Sequence, residues 1–167
     1  MDWLRTLAGE HGIELLPEVH SEYETQKDLS SHGYWIYDFM LPYLILEALL
    51  LKQSPNLVRY LQDRPTNQFT QLDCHDGIPV KPDLNGFYQA DQVKQVIKLC
   101  AERGGNFSQV ISTRHQDADG FDVHQICGTY YSMLNQNDDA YYAARAIQLF
   151  TPGIPQIYYV GLLAGSN

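Results

Sequence analysis

The sequence predicts an α/β fold of parallel β/α units with one inserted subdomain, and three observations predict it. Four apolar runs, near residues 13–18, 34–40, 69–74 and 154–160, alternate with stretches of helical periodicity. Each run is close to continuously apolar, as expected of parallel strands buried on both faces. About 80 residues separate the third run from the fourth, where a plain β/α unit needs about 30. Roughly Pro79 to Gln136 is therefore expected to be an insertion overhanging the strand ends.

The elements follow in order. Met1 to His11 has the look of a helix closed by Gly12, and Ile13-Glu14-Leu15-Leu16-Pro17-Glu18-Val19 reads as a first strand ending at a carboxylate. The polar stretch Ser21 to Ser31 is expected to be a surface helix, and Tyr34 to Met40 a buried strand. Pro42 suits the first turn of a helix, where a missing N–H costs little. That helix carries the leucines from Leu44 to Leu51, apolar all round, so most of its sides should be covered. A helix over Leu57–Asp63 stops before Pro65, and Phe69 to Leu72 forms the third strand. Asp91 to Arg103 has helical period and ends at Gly104-Gly105. Asn106 to Gly128 reads as loops and short turns. Asp138 or Asp139 is expected to cap a helix running to Phe150, and Ile154 to Val160 reads as a fourth buried strand.

Composition sets bounds on function. With 167 residues, 44% hydrophobic and 12% aromatic, the chain can bury a sizeable core, which excludes disorder. Twenty acids against 11 bases give a net charge of -9. Such a surface repels phosphate backbones and anionic lipid, so no nucleic-acid or membrane partner is expected. Met1 to His11 has no apolar core of a signal peptide, and Phe39 to Leu51 is too short and too interrupted to span a bilayer. Three cysteines at irregular spacing, Cys74, Cys100 and Cys127, form no disulfide framework, so reduced thiols and a cytoplasmic location are expected.

Two carboxylates stand just past strand ends, Glu18 and Asp76, on the side where parallel β/α folds place their chemistry. Paired acids there suit glycoside chemistry, one protonating the leaving oxygen and another stabilising positive charge at the sugar carbon. Each taken alone is equally a solvated loop acid. A metal set of His75, Asp76, His115 and His124 fits no zinc spacing, so no metal is expected. Cys74 and His75, adjacent on a strand, should point to opposite faces, leaving Cys74 a small core residue. Tyr141, Tyr142, Tyr158 and Tyr159 fall in helix or strand text and read mostly as packing residues.

Three motifs occur in order: Leu16-Pro17-Glu18-Val19-His20; Leu72-Asp73-Cys74-His75-Asp76-Gly77-Ile78; and the run Gln148 to Gly165, QLFTPGIPQIYYVGLLAG. Together they resemble the sucrose phosphorylase branch of the α-amylase family, glycoside hydrolase family 13, over essentially the whole chain. The resemblance implies half of a (β/α)8 TIM barrel, strands five to eight, with a small subdomain inserted between strands seven and eight. Residues 1–78 would hold units five to seven, 79–136 the acceptor-side subdomain, and 137–167 the last helix and strand eight.

The resemblance also implies roles. Glu18 would be the general acid/base, Asp76 the acid stabilising the transition state, and His75 a ligand of the glucosyl hydroxyls. Asp122, His124 and Gln125 would face the acceptor. No cofactor is implied, only inorganic phosphate as co-substrate beside an α-glucoside. The branch's nucleophile is an aspartate two residues after an arginine, and no Arg-x-Asp element occurs in the 167 residues. The chain alone is thus expected to be inactive as a phosphorylase; an inactive fragment or weak sugar-binding module is one alternative, an amylase-type hydrolase another. His124 replaces the tyrosine usual in sucrose-specific members, leaving room for phosphorylated fructose, glycerate or glycerol as acceptor. Phosphate would fall to side chains such as Arg114, His115 or His124. Uncovered edges at Ile13–Glu18 and Ile154–Val160 are expected to promote self-association.

Overall fold

The computed structural model describes residues 2–80, 86–109 and 123–167. Helix α1 (Asp2–Glu10) is followed by an extended stretch, then α2 (Tyr23–Ser31) and β1 (Ile36–Tyr37). Helices α3 (Leu41–Leu51) and α4 (Pro55–Asp63) cross over to β2 (Gln68–Thr70). After β3 (Ile78–Pro79) come α5 (Ala90–Glu102), β4 (Asn106–Gln109) and β5 (Val123–Cys127). The short α6 (Tyr130–Met133), the long α7 (Asp138–Phe150), β6 (Ile154–Pro155) and α8 (Tyr159–Leu162) complete the order. Among the described residues no helix is long and apolar enough to cross a membrane.

Two sheets result. One is parallel, in the order β1-β2-β6, with Ile36 opposite Gln68 and Phe69 opposite Ile154. The other is antiparallel, in the order β3-β5-β4, with Ile78 opposite Ile126 and Phe107 opposite Ile126 from the other side. Gly153 lets β6 reach β2: its φ is +139°, and a Cβ there would stand 2.5 Å from the Gln68 carbonyl oxygen. Only glycine tolerates both that backbone and that approach.

Helix α3 is the centre of the core. Pro42 occupies its first turn, and every residue from Leu41 to Glu47 is buried. Its N-terminal amides are satisfied by Asp38, whose Oδ1 accepts from Met40 N–H at 3.1 Å and Leu41 N–H at 2.9 Å. The same carboxylate accepts from the Tyr60 hydroxyl at 2.7 Å and from Arg64 Nη2 at 3.0 Å. Arg64 also donates to the Pro152 carbonyl, just before β6. One buried carboxylate thus ties together the end of β1, the start of α3, α4 and the approach to β6.

Helices α1 to α5 and α7 agree with the sequence reading, which gave no helix at α6 or α8; the run at 69–74 pairs only over Gln68–Thr70, and the other strands differ as well. Residues 13–18 form no strand. Ile13, Glu14 and Leu15 run beside Tyr34 and Trp35 without joining a ladder, and Ile13 is exposed. Apolar text reports burial, whereas a strand needs a paired neighbour. The run at 34–40 yields only Ile36–Tyr37, because the chain turns at Asp38, whose N–H bonds the Phe69 carbonyl at 2.9 Å and whose side chain caps α3. Ile154–Val160 is neither continuous nor buried: both β6 residues are exposed, and the chain turns into α8 at Tyr159. Pro155 has no N–H to donate onward, and the last bond to β2 is Gln156 N–H to Thr70 C=O at 2.8 Å. Asn106–Gly128, read as loops, contains β4 and β5. In β5, Gln125 and Ile126 are buried while Cys127 is exposed. The cap of α7 is Asn137, its side chain accepting from Ala140 N–H at 2.8 Å, rather than Asp138 or Asp139.

Candidate active site

The three parallel strands deliver their carboxyl ends to one place. Tyr37 closes β1 and Phe39 follows it, while Gln71 and Gln156 are the first residues beyond β2 and β6. All four line a small cleft of about 50 Å³ with Glu18, Cys74 and His75. A larger cleft of about 230 Å³ adjoins it, sharing Cys74 and His75 and adding Asp76, Cys127 and Tyr158. Glu18 and His75 therefore share one cleft, and Asp76 opens onto its neighbour.

His75 and Asp76 owe their presentation to a tight turn. Cys74 N–H donates to the Gly77 carbonyl and Gly77 N–H to the Cys74 carbonyl, both at 3.0 Å. The two residues between stand at the tip, exposed, with His75 Nε2 3.3 Å from Asp76 Oδ1. The turn contradicts the expectation that Cys74 and His75 diverge. Ligand atoms of Cys74, His75 and Asp76 all lie within 4.8 Å of one another, because a turn does not alternate its side chains as a strand does. Cys74 is likewise half-buried on the cleft wall rather than in the core, and desolvation is the main cause pushing its thiol pKa up.

Gly77 makes the turn fit. At φ +112°, a Cβ would lie 2.2 Å from the Ile126 carbonyl oxygen of β5. Gly77→Ala should destabilise the chain by more than ~1 kcal/mol, since a strained conformation adds to a backbone collision. Urea unfolding at constant m-value checks this.

The turn rests on a buried anchor. Asp73 accepts from Tyr130 N–H at 3.0 Å and from Arg145 Nη2 at 3.3 Å. Arg145 Nη1 donates to Gln148 Oε1 at 2.7 Å, and Gln148 Nε2 donates to the carbonyls of Thr70 and Gln156, each at 2.9 Å. Helix α7 thereby locks the ends of β2 and β6 to the base of the turn.

Glu18 has its own support. His20 Nε2 lies 3.2 Å from Glu18 Oε1, and the His20 ring stacks on Phe39 with centroids 4.1 Å apart. The His124 ring sits 4.9 Å from that of His20, bringing the start of β5 beside the acid. Gln125 is buried within β5 and lines neither cleft. Asp122, Arg114 and His115 lie outside the described residues. Tyr141 is buried but Tyr142 and Tyr159 are exposed, so the tyrosines of this stretch are not uniformly packing residues, and Tyr158 lines the larger cleft.

No protein-family model matches the chain. Individual relatives do, from end to end. It is 57% identical over all 167 residues to the sucrose 6(F)-phosphate phosphorylase of Thermoanaerobacterium thermosaccharolyticum. The crystal structure of a protein so named superposes with a TM-score of 0.95 over 99% of this chain. The chain belongs to the sucrose phosphorylase branch. Further members along its whole length are the sucrose phosphorylase of Streptococcus mutans, at 40% identity, and the glucosylglycerol phosphorylase of Marinobacter adhaerens, at 44%. In each of these three the match covers 34% of the relative, so the chain spans about a third of their length.

Tyr37, Phe39, Gln71 and Gln156 escaped the sequence reading of this branch member. The signal was present, since each is the last residue of a strand or stands within two residues of its end. Asp73 and Arg145 gave no signal, because 72 residues separate the pair.

The three thiols should differ in reactivity. Cys127 is exposed, Cys74 intermediate, and Cys100 buried with its thiol pKa pushed by desolvation up to about 12. In the native chain at pH 8, a thiol reagent should label Cys127 first and Cys74 more slowly. Cys100 should react only after unfolding. Peptide mapping of the labelled sites reads the order directly.

Proposed function

We propose that this chain is the acid/base-bearing segment of a retaining α-glucosyl phosphorylase, which transfers glucose from an α-glucoside to inorganic phosphate. The end-to-end match to relatives named as phosphorylases carries this reading. In it, β1, β2 and β6 are strands six, seven and eight of a (β/α)8 barrel, a placing supported by their parallel order. Residues 79–136 would then be the acceptor-side subdomain between strands seven and eight. The rest of the barrel would supply the nucleophile, since no Arg-x-Asp element lies in this chain.

The roles that the resemblance implies supply the chemistry. Glu18 protonates the departing glycosidic oxygen while the nucleophile attacks the anomeric carbon and forms a covalent glucosyl intermediate. Glu18, now a carboxylate, then takes the proton from the incoming phosphate hydroxyl, and the second inversion restores the original configuration. Asp76 stabilises the positive charge that develops at the ring, and His75 binds a glucosyl hydroxyl. His124, whose ring lies beside that of His20, faces the acceptor, and the resemblance implies Asp122 for the same side. An imidazole there suits a phosphorylated or polyol acceptor.

The test grafts this chain into the Thermoanaerobacterium protein in place of the matching segment. With sucrose 6-phosphate and inorganic phosphate, NMR should show α-configured glucose 1-phosphate. Free glucose as the main product would replace phosphorolysis with hydrolysis. The 167 residues alone should form neither.

A further inference from the structure

We propose that the turn Cys74-His75-Asp76 is a binding site for a borderline-soft divalent cation of the zinc class. Three different donors, a thiol sulfur, an imidazole nitrogen and a carboxylate oxygen, stand within 4.8 Å of one another on consecutive residues. Around a tetrahedral zinc ion such donors lie roughly 3–4 Å apart, given metal bonds of about 2.0–2.3 Å. His75 and Asp76 are exposed at the tip, so rotation of their side chains closes the difference without moving the backbone. The backbone is fixed by the paired Cys74–Gly77 hydrogen bonds and by Gly77 against Ile126.

Further observations point the same way. The turn opens on a cleft of about 230 Å³, room for an ion with its waters. The sulfur of Cys74 is the donor that selects zinc over magnesium or calcium. Binding converts the Cys74 thiol to thiolate and releases its proton to solvent, so affinity rises with pH. The site is independent of the phosphorylase reading, except that His75 and Asp76 are there assigned to sugar. If that reading holds, cation and sugar exclude each other.

Co2+ titration of the full 167-residue chain tests the site, because thiolate–Co2+ charge-transfer absorption reports sulfur ligation without any enzymatic assay. One equivalent should bind with this band and be displaced by Zn2+. Cys74→Ser should abolish the band and weaken binding at least about tenfold, judged against the cost of losing even an outer partner of a metal site. Cys100→Ser, which removes the buried thiol, should change nothing, and circular dichroism should show Cys74→Ser still folded. Absence of the band, its survival in Cys74→Ser, or an equal loss in Cys100→Ser would overturn the proposal.

Discussion

Glu18→Gln should lower phosphorolysis of a sucrose-type donor by about 10³-fold, within the 10²–10⁴ that a positioned general acid supplies. The amide fills the same space but has no proton to give to the leaving oxygen. The loss should depend on the leaving group, which separates this role from a structural one. α-Glucosyl fluoride departs without protonation, so the first step should return to near its original rate with that donor. Steady-state kinetics of the grafted protein with both donors measures the contrast. Equal losses with the two donors would mean that Glu18 is not the acid. His20, 3.2 Å from Glu18 and stacked on Phe39, orients that carboxyl. His20→Phe keeps the stack and removes the hydrogen bond, so it should reduce kcat by less than Glu18→Gln does.

The largest effect on stability should come from Asp38. Its side chain and that of Arg64 are 0% and 2% exposed, and the carboxylate also holds Tyr60 and the first turn of α3. Asp38→Asn keeps an oxygen for the amides but strands a buried guanidinium, a loss of about 3–5 kcal/mol. For a chain of this size that is roughly a 6–20 °C fall in Tm. Adding Arg64→Met removes the stranded charge and should restore much of the loss, so the two changes will not add. Differential scanning calorimetry of the single and double variants checks this. An Asp38→Asn variant within 1 °C of the parent would show the pair to be dispensable.

Helices α1 to α5 and α7 were legible because each announces itself locally. Pro42 and Pro55 sit in first turns, Gly104 takes φ +82° after α5, and Val93, Val96 and Cys100 share its buried face. Glu18, His75 and Asp76 were legible because carboxylates and histidines beyond apolar runs stand out in text. Strand limits were not. Residues 13–18 are apolar without pairing, while Asn106–Gln109 pairs without being apolar. Pairing is a relation between two segments, and neither segment's composition records it.

The sequence by itself determined the α/β class, the order of helices, and the motifs that place the chain in its branch. Period, capping residues and short fixed spacings act within one or two turns of chain, so they can be read along it. Tertiary structure alone decided that Cys74, His75 and Asp76 converge, that Tyr37, Gln71 and Gln156 meet Glu18, and that Asp73 finds Arg145. Each depends on contacts between residues far apart in the chain, or on a turn whose shape is set by a glycine pressed against the Ile126 carbonyl of β5. Desolvation and backbone geometry select such contacts only once the whole chain is packed.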